Sequence, residues 1–309
     1  MMREKPSHSS LARFAWLSIT AAILTIALKT TAYLVTNSIG LLSDAMESLI
    51  NLAGAIMALV MLRIAVRPAD DDHNYGHTKA EYFSSGVEGI LILIAAILIA
   101  IAAVERFFAP QPIAQIGLGL IVSVIASLIN LAVSIILIRA ARKYNSITLE
   151  ADGKHLMTDV WTSAGVLIGV GMVAITGWQQ FDPVVALFVA GNIIWTGISI
   201  VKKSISGLMD KALSITEQKK IYEVLDSHKH EDIQFHAVLT RQAGARQFVS
   251  FHVLVPGSWT VNQGHVLLEQ IETDLRSALP NLTVITHLEP IEDPVSYNDF
   301  EFIQFRDKS

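Results

Sequence analysis

The chain has 309 residues, 52% hydrophobic and only 17% charged, with a net charge of −5 and a mean hydropathy of +0.47. Soluble domains carry about a quarter charged residues, so this balance is that of a membrane protein. No basic cluster is present, which argues against nucleic acid as a partner. The absence of cysteine excludes disulfides and thiolate metal sites. Any metal must be held by His and carboxylates with help from Asn, and copper(I) is disfavoured.

The short polar stretch 1–10 is not followed by a small-residue cleavage pattern. The first apolar run therefore reads as a retained helix, not a signal peptide. About 20 mostly apolar residues are needed to cross a bilayer. Six segments meet this: 14–35, 39–62, 83–104, 116–138, 155–176 and 183–201. Segments 1 and 3 carry Lys29 and Glu88, segment 4 carries Asn130, and Asp182 stands before segment 6. Arg3, Lys5 and Arg13 precede segment 1. Arg63, Arg67 and Lys79 lie between segments 2 and 3. Arg139, Arg142, Lys143 and Lys154 lie between 4 and 5, and Lys202, Lys203 and Lys211 follow 6. The other connections hold only Arg106. The positive-inside rule puts both termini in the cytoplasm.

Charge density becomes ordinary beyond about residue 200. Residues 214–227 read as an amphipathic helix capped by Ser214 or Thr216. Stretches 234–240 and 248–255 read as a hairpin around 242–245. A second helix is expected over 261–279, ending before Pro280-Asn281, and a third strand over 282–288. His228 and His230, at the end of the first of these helices, read as solvent-facing. The order αββαβ fits a small open-faced α/β sandwich. The expected organisation is a membrane α-helical bundle of six transmembrane helices in residues 1–212. A small cytoplasmic α+β domain follows in 213–294, and a polar tail in 295–309.

Two polar half-sites interrupt the apolar segments. Segment 2 contains Ser43-Asp44-Ala45-Met46-Glu47-Ser48-Leu49-Ile50-Asn51, and segment 5 begins His155-Leu156-Met157-Thr158-Asp159. Glu47 with Asn51, and His155 with Asp159, stand four apart and so share a helix face. Two such faces together supply four ligands, enough for one tetrahedral dication. Ionisable groups at membrane depth mark ion pathways. Asp44, one turn before Glu47, is expected to steer a ligand or relay protons.

The loop between segments 2 and 3 holds Asp70, His73 and His77 within eight residues. An acidic loop explains the carboxylates but not two His at i and i+4, so a metal site is expected there. In the last domain His236, His252, His265 and His287, with Glu289, are spread over some 50 residues. By spacing alone a metal site and an ordinary set of surface histidines stand equally open.

These residues resemble the cation diffusion facilitator family of proton-coupled zinc and transition-metal exporters. The resemblance rests on Ser43-Asp44-Ala45 with Ser48-Leu49, on the block from Pro68 to Glu81, and on His155 and Asp159 followed by Val160 and Ser163. It covers nearly the whole chain. It implies a homodimer in a prokaryotic inner membrane, with a metallochaperone-like cytoplasmic domain. It implies a transport site at Glu47, Asn51, His155 and Asp159, and a loop site at Asp70, His73 and His77. It also implies zinc at the dimer interface through His236, His252, His265, His287 and Glu289, and a charge pair between Lys79 and Asp210. Two positions depart from the family pattern. Asn51 stands where zinc members have Asp, with Glu47 for Asp or His, so the site is less negative by one carboxylate. Glu289 replaces the usual Asp.

The expected function is efflux of a divalent transition metal in exchange for protons by alternating access. Zn2+ leads, with Fe2+, Mn2+, Co2+ and Cd2+ as further candidates, and no organic cofactor is expected. A metal sensor without transport is the alternative. An intramembrane metalloenzyme would need a His-Glu-x-x-His motif or a paired nucleophile, and neither occurs, so no enzyme is expected.

Overall fold

The computed structural model describes residues 9–36, 39–109, 116–176, 178 and 180–297. Over parts of several helices, including most of the first half of the second, only the backbone is described. The chain divides into two compact units, Met1–Ser206 and Gly207–Ser309.

The first unit is built from α1 (Ser9–Thr36), α2 (Ile39–Ala65), α3 (Ala80–Phe108), α4 (Ile116–Tyr144), α5 (Ile147–Thr176) and α6 (Phe181–Leu208). The shortest has 27 residues, about 40 Å at 1.5 Å per residue, against a hydrocarbon core of about 30 Å. Among the described residues four stretches are long and apolar enough to cross a membrane: Leu11–Thr31, Ala80–Phe108, Val124–Tyr144 and Pro183–Leu208. The helices with the polar half-sites fall short of that measure over their described residues, and α2 offers the shorter apolar stretch Leu52–Ala65.

The bundle is apolar outside and polar inside. Phe188 and Trp195 are 78% and 77% exposed, while Ser18, Lys29, Ser48, Glu88, Asn130, Asp152, His155 and Asp159 are buried. Water would reject that surface, whereas lipid selects it and drives polar groups to the interior. Helix α1 packs on α2 and α4, and α5 packs on α4, α3 and α2. Ala15, Ile19, Leu59, Leu62, Leu137 and Leu156 form their shared core. Helices α3 and α6 meet through glycines. A Cβ on Gly89 would come within 2.8 Å of Val201, and one on Gly197 within 2.8 Å of Leu93. Lipid gives helices no hydrophobic reason to associate, so such close van der Waals contact holds them.

Helix α5 starts eight residues before the predicted segment. Hydropathy alone could not see its first two turns, which are polar. They are helical because Glu150 bonds Lys154 one turn on at 3.2 Å and also pairs with Lys203 of α6, and because Ser134 on α4 donates to the Gly153 carbonyl at 2.7 Å.

The second unit contains α7 (Ile215–His228), β1 (Gln234–Ala243), β2 (Arg246–Val255), α8 (Val261–Ala278), β3 (Leu282–Pro290) and a 3-10 turn over Pro294–Tyr297. Ser214 is the α7 cap, in a reciprocal box with Glu217, and Thr260 caps α8 with Gln263 in the same way. Each box satisfies two backbone amides that the first helical turn would leave open. The sheet order is β1-β2-β3, antiparallel between β1 and β2 and parallel between β2 and β3. The hairpin is tighter than expected: Ala243 pairs with Arg246 across Gly244 and Ala245. Gly244 has φ 58°, which a leading loop glycine adopts at no steric cost. Ile221, Leu225, Phe251, Val253, Ile271 and Leu275 form the core between helices and sheet. His228 is not solvent-facing as expected. Its Nε2 meets Asp274 of α8 at 2.9 Å and ties the two helices together.

Candidate metal centres

In the bundle, α5 carries His155 and Asp159 on one face, and both are buried. Helix α2 packs against α5, which brings the two half-sites onto neighbouring helices. Ser48 of α2 is fully buried. The side chains of Asp44, Glu47 and Asn51, and of Asp182, lie outside the described residues. One contributor was not recognised from sequence. Asn130 on α4 donates its Nδ2 to Asp159 Oδ2 at 3.2 Å. In sequence it was merely a polar residue in segment 4, and only the α4–α5 contact gives it a partner. A neutral amide orients the carboxylate and adds no charge of its own.

The loop site forms from a turn. Asp70 and His73 exchange backbone hydrogen bonds, and the His73 amide also donates to Asp70 Oδ1 at 2.7 Å. Gly76 has φ 79° and lets the chain reverse so that His77 returns to the same carboxylate. Asp70 Oδ1 lies 3.1 Å from His73 Nδ1, and Oδ2 lies 3.3 Å from His77 Nε2. Desolvation works to raise the Asp70 carboxyl. The His73 amide and ring, with the charges of His77 and His73, outweigh it and hold the group below its usual value. One ligand atom from each residue falls within 4.8 Å of the others, a donor set of two imidazoles and one carboxylate that suits a first-row dication.

The third cluster is a row across the sheet. His236, His252 and His287 occupy one register position on β1, β2 and β3. Neighbouring rings stand 5.0 Å apart, centroid to centroid. Glu289, two residues after His287, shares its face by strand periodicity. Its Oε2 lies 3.0 Å from His236 Nε2 and 3.3 Å from His252 Nδ1, and its Oε1 lies 3.4 Å from His287 Nδ1. An irregularity follows His236. Between His236 and Leu239 the register shifts by one residue, and Ala237 has φ 53°. That bulge lets β1 keep its core side chains inward on one side and present His236 on the other. His236, His252 and Glu289 converge as a candidate metal group. His265 is exposed on α8 and stands outside that group. Lys79 precedes α3 in the first unit, while Asp210, in the second, pairs with Arg241 at 3.1 Å.

Two family models match this arrangement: the cation efflux transmembrane domain over residues 15–209, and the cation efflux protein cytoplasmic domain over residues 213–291. This chain is a cation efflux protein of the cation diffusion facilitator family. It is therefore an integral membrane protein of a transporter family, a helical transmembrane domain followed by a small cytoplasmic domain. It is 49% identical over 284 residues to the uncharacterized transporter sll1263 of Synechocystis, covering 92% of each chain. It is 29% identical over 275 residues to the cation-efflux pump FieF of Shewanella oneidensis, covering 89% of this chain and 92% of that one. Among solved structures it is similar to the metal-bound C-terminal domain of the CzcD transporter from Thermotoga maritima. That match has 22% identity and a TM-score of 0.24, and covers 26% of this chain and 99% of the other.

Proposed function

We propose that this cation efflux protein exports a divalent transition metal, zinc before iron, manganese, cobalt or cadmium, in exchange for protons, and works as a homodimer with both termini in the cytoplasm. The observation that supports this best is the burial of His155 and Asp159 together inside an apolar bundle, with Asn130 orienting the carboxylate. Buried ionisable groups in a membrane domain are costly, and an ion pathway is the usual reason for them. Glu47 and Asn51 on α2 complete the proposed set of four, with Asp44 one turn before Glu47 in the chain.

Imidazole and carboxylate bind metal only when deprotonated, so metal and protons compete for the same atoms. Facing the cytoplasm, the site takes a metal and gives up protons. Facing outward, incoming protons displace the metal. Rocking of the helices around a site near mid-membrane would supply alternating access. The loop and sheet sites are read as resident metal sites of the cytoplasmic side. Filling the sheet site would tighten a dimer if the partner copy shares it.

Zinc uptake into proteoliposomes under an imposed pH gradient tests the reading, beside an Asp159→Ala control. Gradient-dependent uptake that disappears in the variant is the expected result. Binding without movement of any of the five metals would refute it and leave a sensor.

A further inference from the structure

The block from Pro68 to Glu81 carries much of the family resemblance, yet the loop site uses only Asp70, His73 and His77 of it. Glu81 closes the block and belongs to no metal group among the described residues. It is the second residue of α3 and is only 3% exposed. A carboxyl group at such a position costs more to bury than an apolar side chain of its size, unless its hydrogen bonds are needed.

Those bonds converge on a corner. Helices α4 and α5 are joined by Asn145 and Ser146 alone. Asn145 turns the chain with φ 52°, a conformation that Asn reaches more readily than most side chains. Ser146 ties the corner to both helices. Its amide donates to the Ala141 carbonyl of α4 at 3.1 Å, and its Oγ accepts from the Leu149 amide of α5 at 3.4 Å, as a helix cap does. The hydroxyl proton of Ser146 goes to Glu81 Oε2. Thr148, in the first turn of α5, donates its Oγ1 to the Glu81 carbonyl at 3.2 Å. Glu81 therefore holds the cap of α5 with its carboxyl group and the first turn of α5 with its backbone. Ser146 and Thr148 are both buried, so water offers no substitute for either bond.

The next residue extends the joint to α6. The Tyr82 carbonyl accepts from Ser204 Oγ. Ser204 fits there because Gly86 has no side chain: a Cβ on Gly86 would lie 2.9 Å from Ser204 Oγ. The first turn of α3 thus holds both α6 and the α4–α5 corner.

The corner matters because of what its two helices carry. Asn130 of α4 bonds Asp159 of α5, and His155 lies one turn before Asp159. Asp159 stands about 20 Å along the helix from Ser146. A helix held at its head by two bonds cannot slide or rotate without straining both. We propose that Glu81 is a positioning residue for transport: its bonds to Ser146 and Thr148 fix the head of α5, and with it the rotation at which α5 presents His155 and Asp159 to the metal. This rests on the transport reading above.

The test uses the whole protein in proteoliposomes, with zinc flux followed against zinc concentration under a pH gradient. Glu81→Ala and Ser146→Ala should each raise the zinc concentration at half-maximal flux by about two- to tenfold, the equivalent of one hydrogen bond. The maximal rate per folded protein should change little. The Thr148 bond is made to the backbone and survives these changes, which keeps the effect modest. The double variant should be no worse than the more impaired single one, because both remove the same bond. Glu81→Gln keeps an acceptor for Ser146 and should behave as the unmodified protein. If Glu81→Ala does not fold, Ser146→Ala and Glu81→Gln carry the same test. A lowered maximal rate with an unchanged half-maximal concentration would overturn the proposal and leave Glu81 a stabilising residue only. Single effects that multiply in the double variant would overturn it too, since the two side chains would then act independently. So would Glu81→Gln as impaired as Glu81→Ala, which would make the charge and not the bond the reason for the residue. Unmodified protein that binds zinc but moves none under the gradient would instead refute the transport reading, and the positioning role with it.

Discussion

Asn130 and Asp159 meet across the α4–α5 contact through a single hydrogen bond, Nδ2 to Oδ2, at 3.2 Å. The bond orients a carboxylate on one helix from another, so the proposed metal site is sensitive to how α4 and α5 sit together. Removing the amide should loosen the orientation of the Asp159 carboxylate. Outer partners of metal ligands are worth about 10- to 100-fold in affinity. Asn130→Ala is therefore expected to raise the zinc concentration at half-maximal flux by roughly that factor, with little loss at saturation. A variant with wild-type concentration dependence would remove Asn130 from the site.

A complementary change tests charge. Asn51 leaves the proposed four-ligand set one carboxylate short of the pattern its family resemblance suggests. Asn51→Asp adds a negative ligand and a proton acceptor. Competition between zinc and manganese should then shift toward zinc, and flux should become more sensitive to acid because one more group must lose a proton. An unchanged metal preference would place Asn51 outside the coordination sphere.

How much of this was legible in sequence differs by element. The six helices could be read because lipid imposes a long apolar requirement that few other structures satisfy. The start of α5 could not, because its first turns depend on Lys203 of α6 and on Ser134 of α4, both remote in sequence. The residue types at the candidate metal sites were evident from chemistry alone. Their assembly was evident only where spacing was local, as for Asp70, His73 and His77 within eight residues. The row of His236, His252 and His287 depends on strand register, and β1 absorbs an extra residue at Ala237, neither of which spacing reveals. His265 has the right chemistry but lies exposed on α8 outside the converging group, and the pairing of His228 with Asp274 needs the α7–α8 contact.

The loop cluster makes a pH prediction with a defined sign. The Asp70 carboxyl is held below its ordinary 3.8 in the folded chain. A depressed carboxyl contributes stability that is complete above the unfolded value and is lost as pH falls through the folded one. Ordering of the α2–α3 loop should therefore hold above about pH 4 and weaken only in stronger acid. Asp70→Asn should abolish that acid transition. It should also abolish metal binding by the loop at neutral pH, since two imidazoles remain without an anionic ligand. Amide exchange across residues 70–77 measures the first effect, and zinc titration the second. Exchange rates with the same acid dependence in both proteins would show that Asp70 does not organise the turn.

Glu289 should be the decisive residue of the sheet site. Its carboxylate contacts all three imidazoles of the row, so no single histidine can replace it. In Glu289→Ala the three rings keep their register, because backbone pairing sets it, but they lose the anion that draws a cation among them. The cytoplasmic unit should then unfold at the same temperature with or without zinc, where the unmodified protein gains stability in proportion to the logarithm of zinc over its dissociation constant. Removing Ala237 makes a sharper test. Deletion erases the extra residue between His236 and Leu239. His236 then stays opposite His252 and Val238 falls opposite Phe251, so Phe235 and Val238 keep the core face and His236 the other without a bulge. Zinc stabilisation should therefore survive both the deletion and Ala237→Gly, which keeps the bulge and relieves its positive φ. Loss of zinc stabilisation in a deletion that still folds would mean that the bulge itself, and not strand register, aims His236.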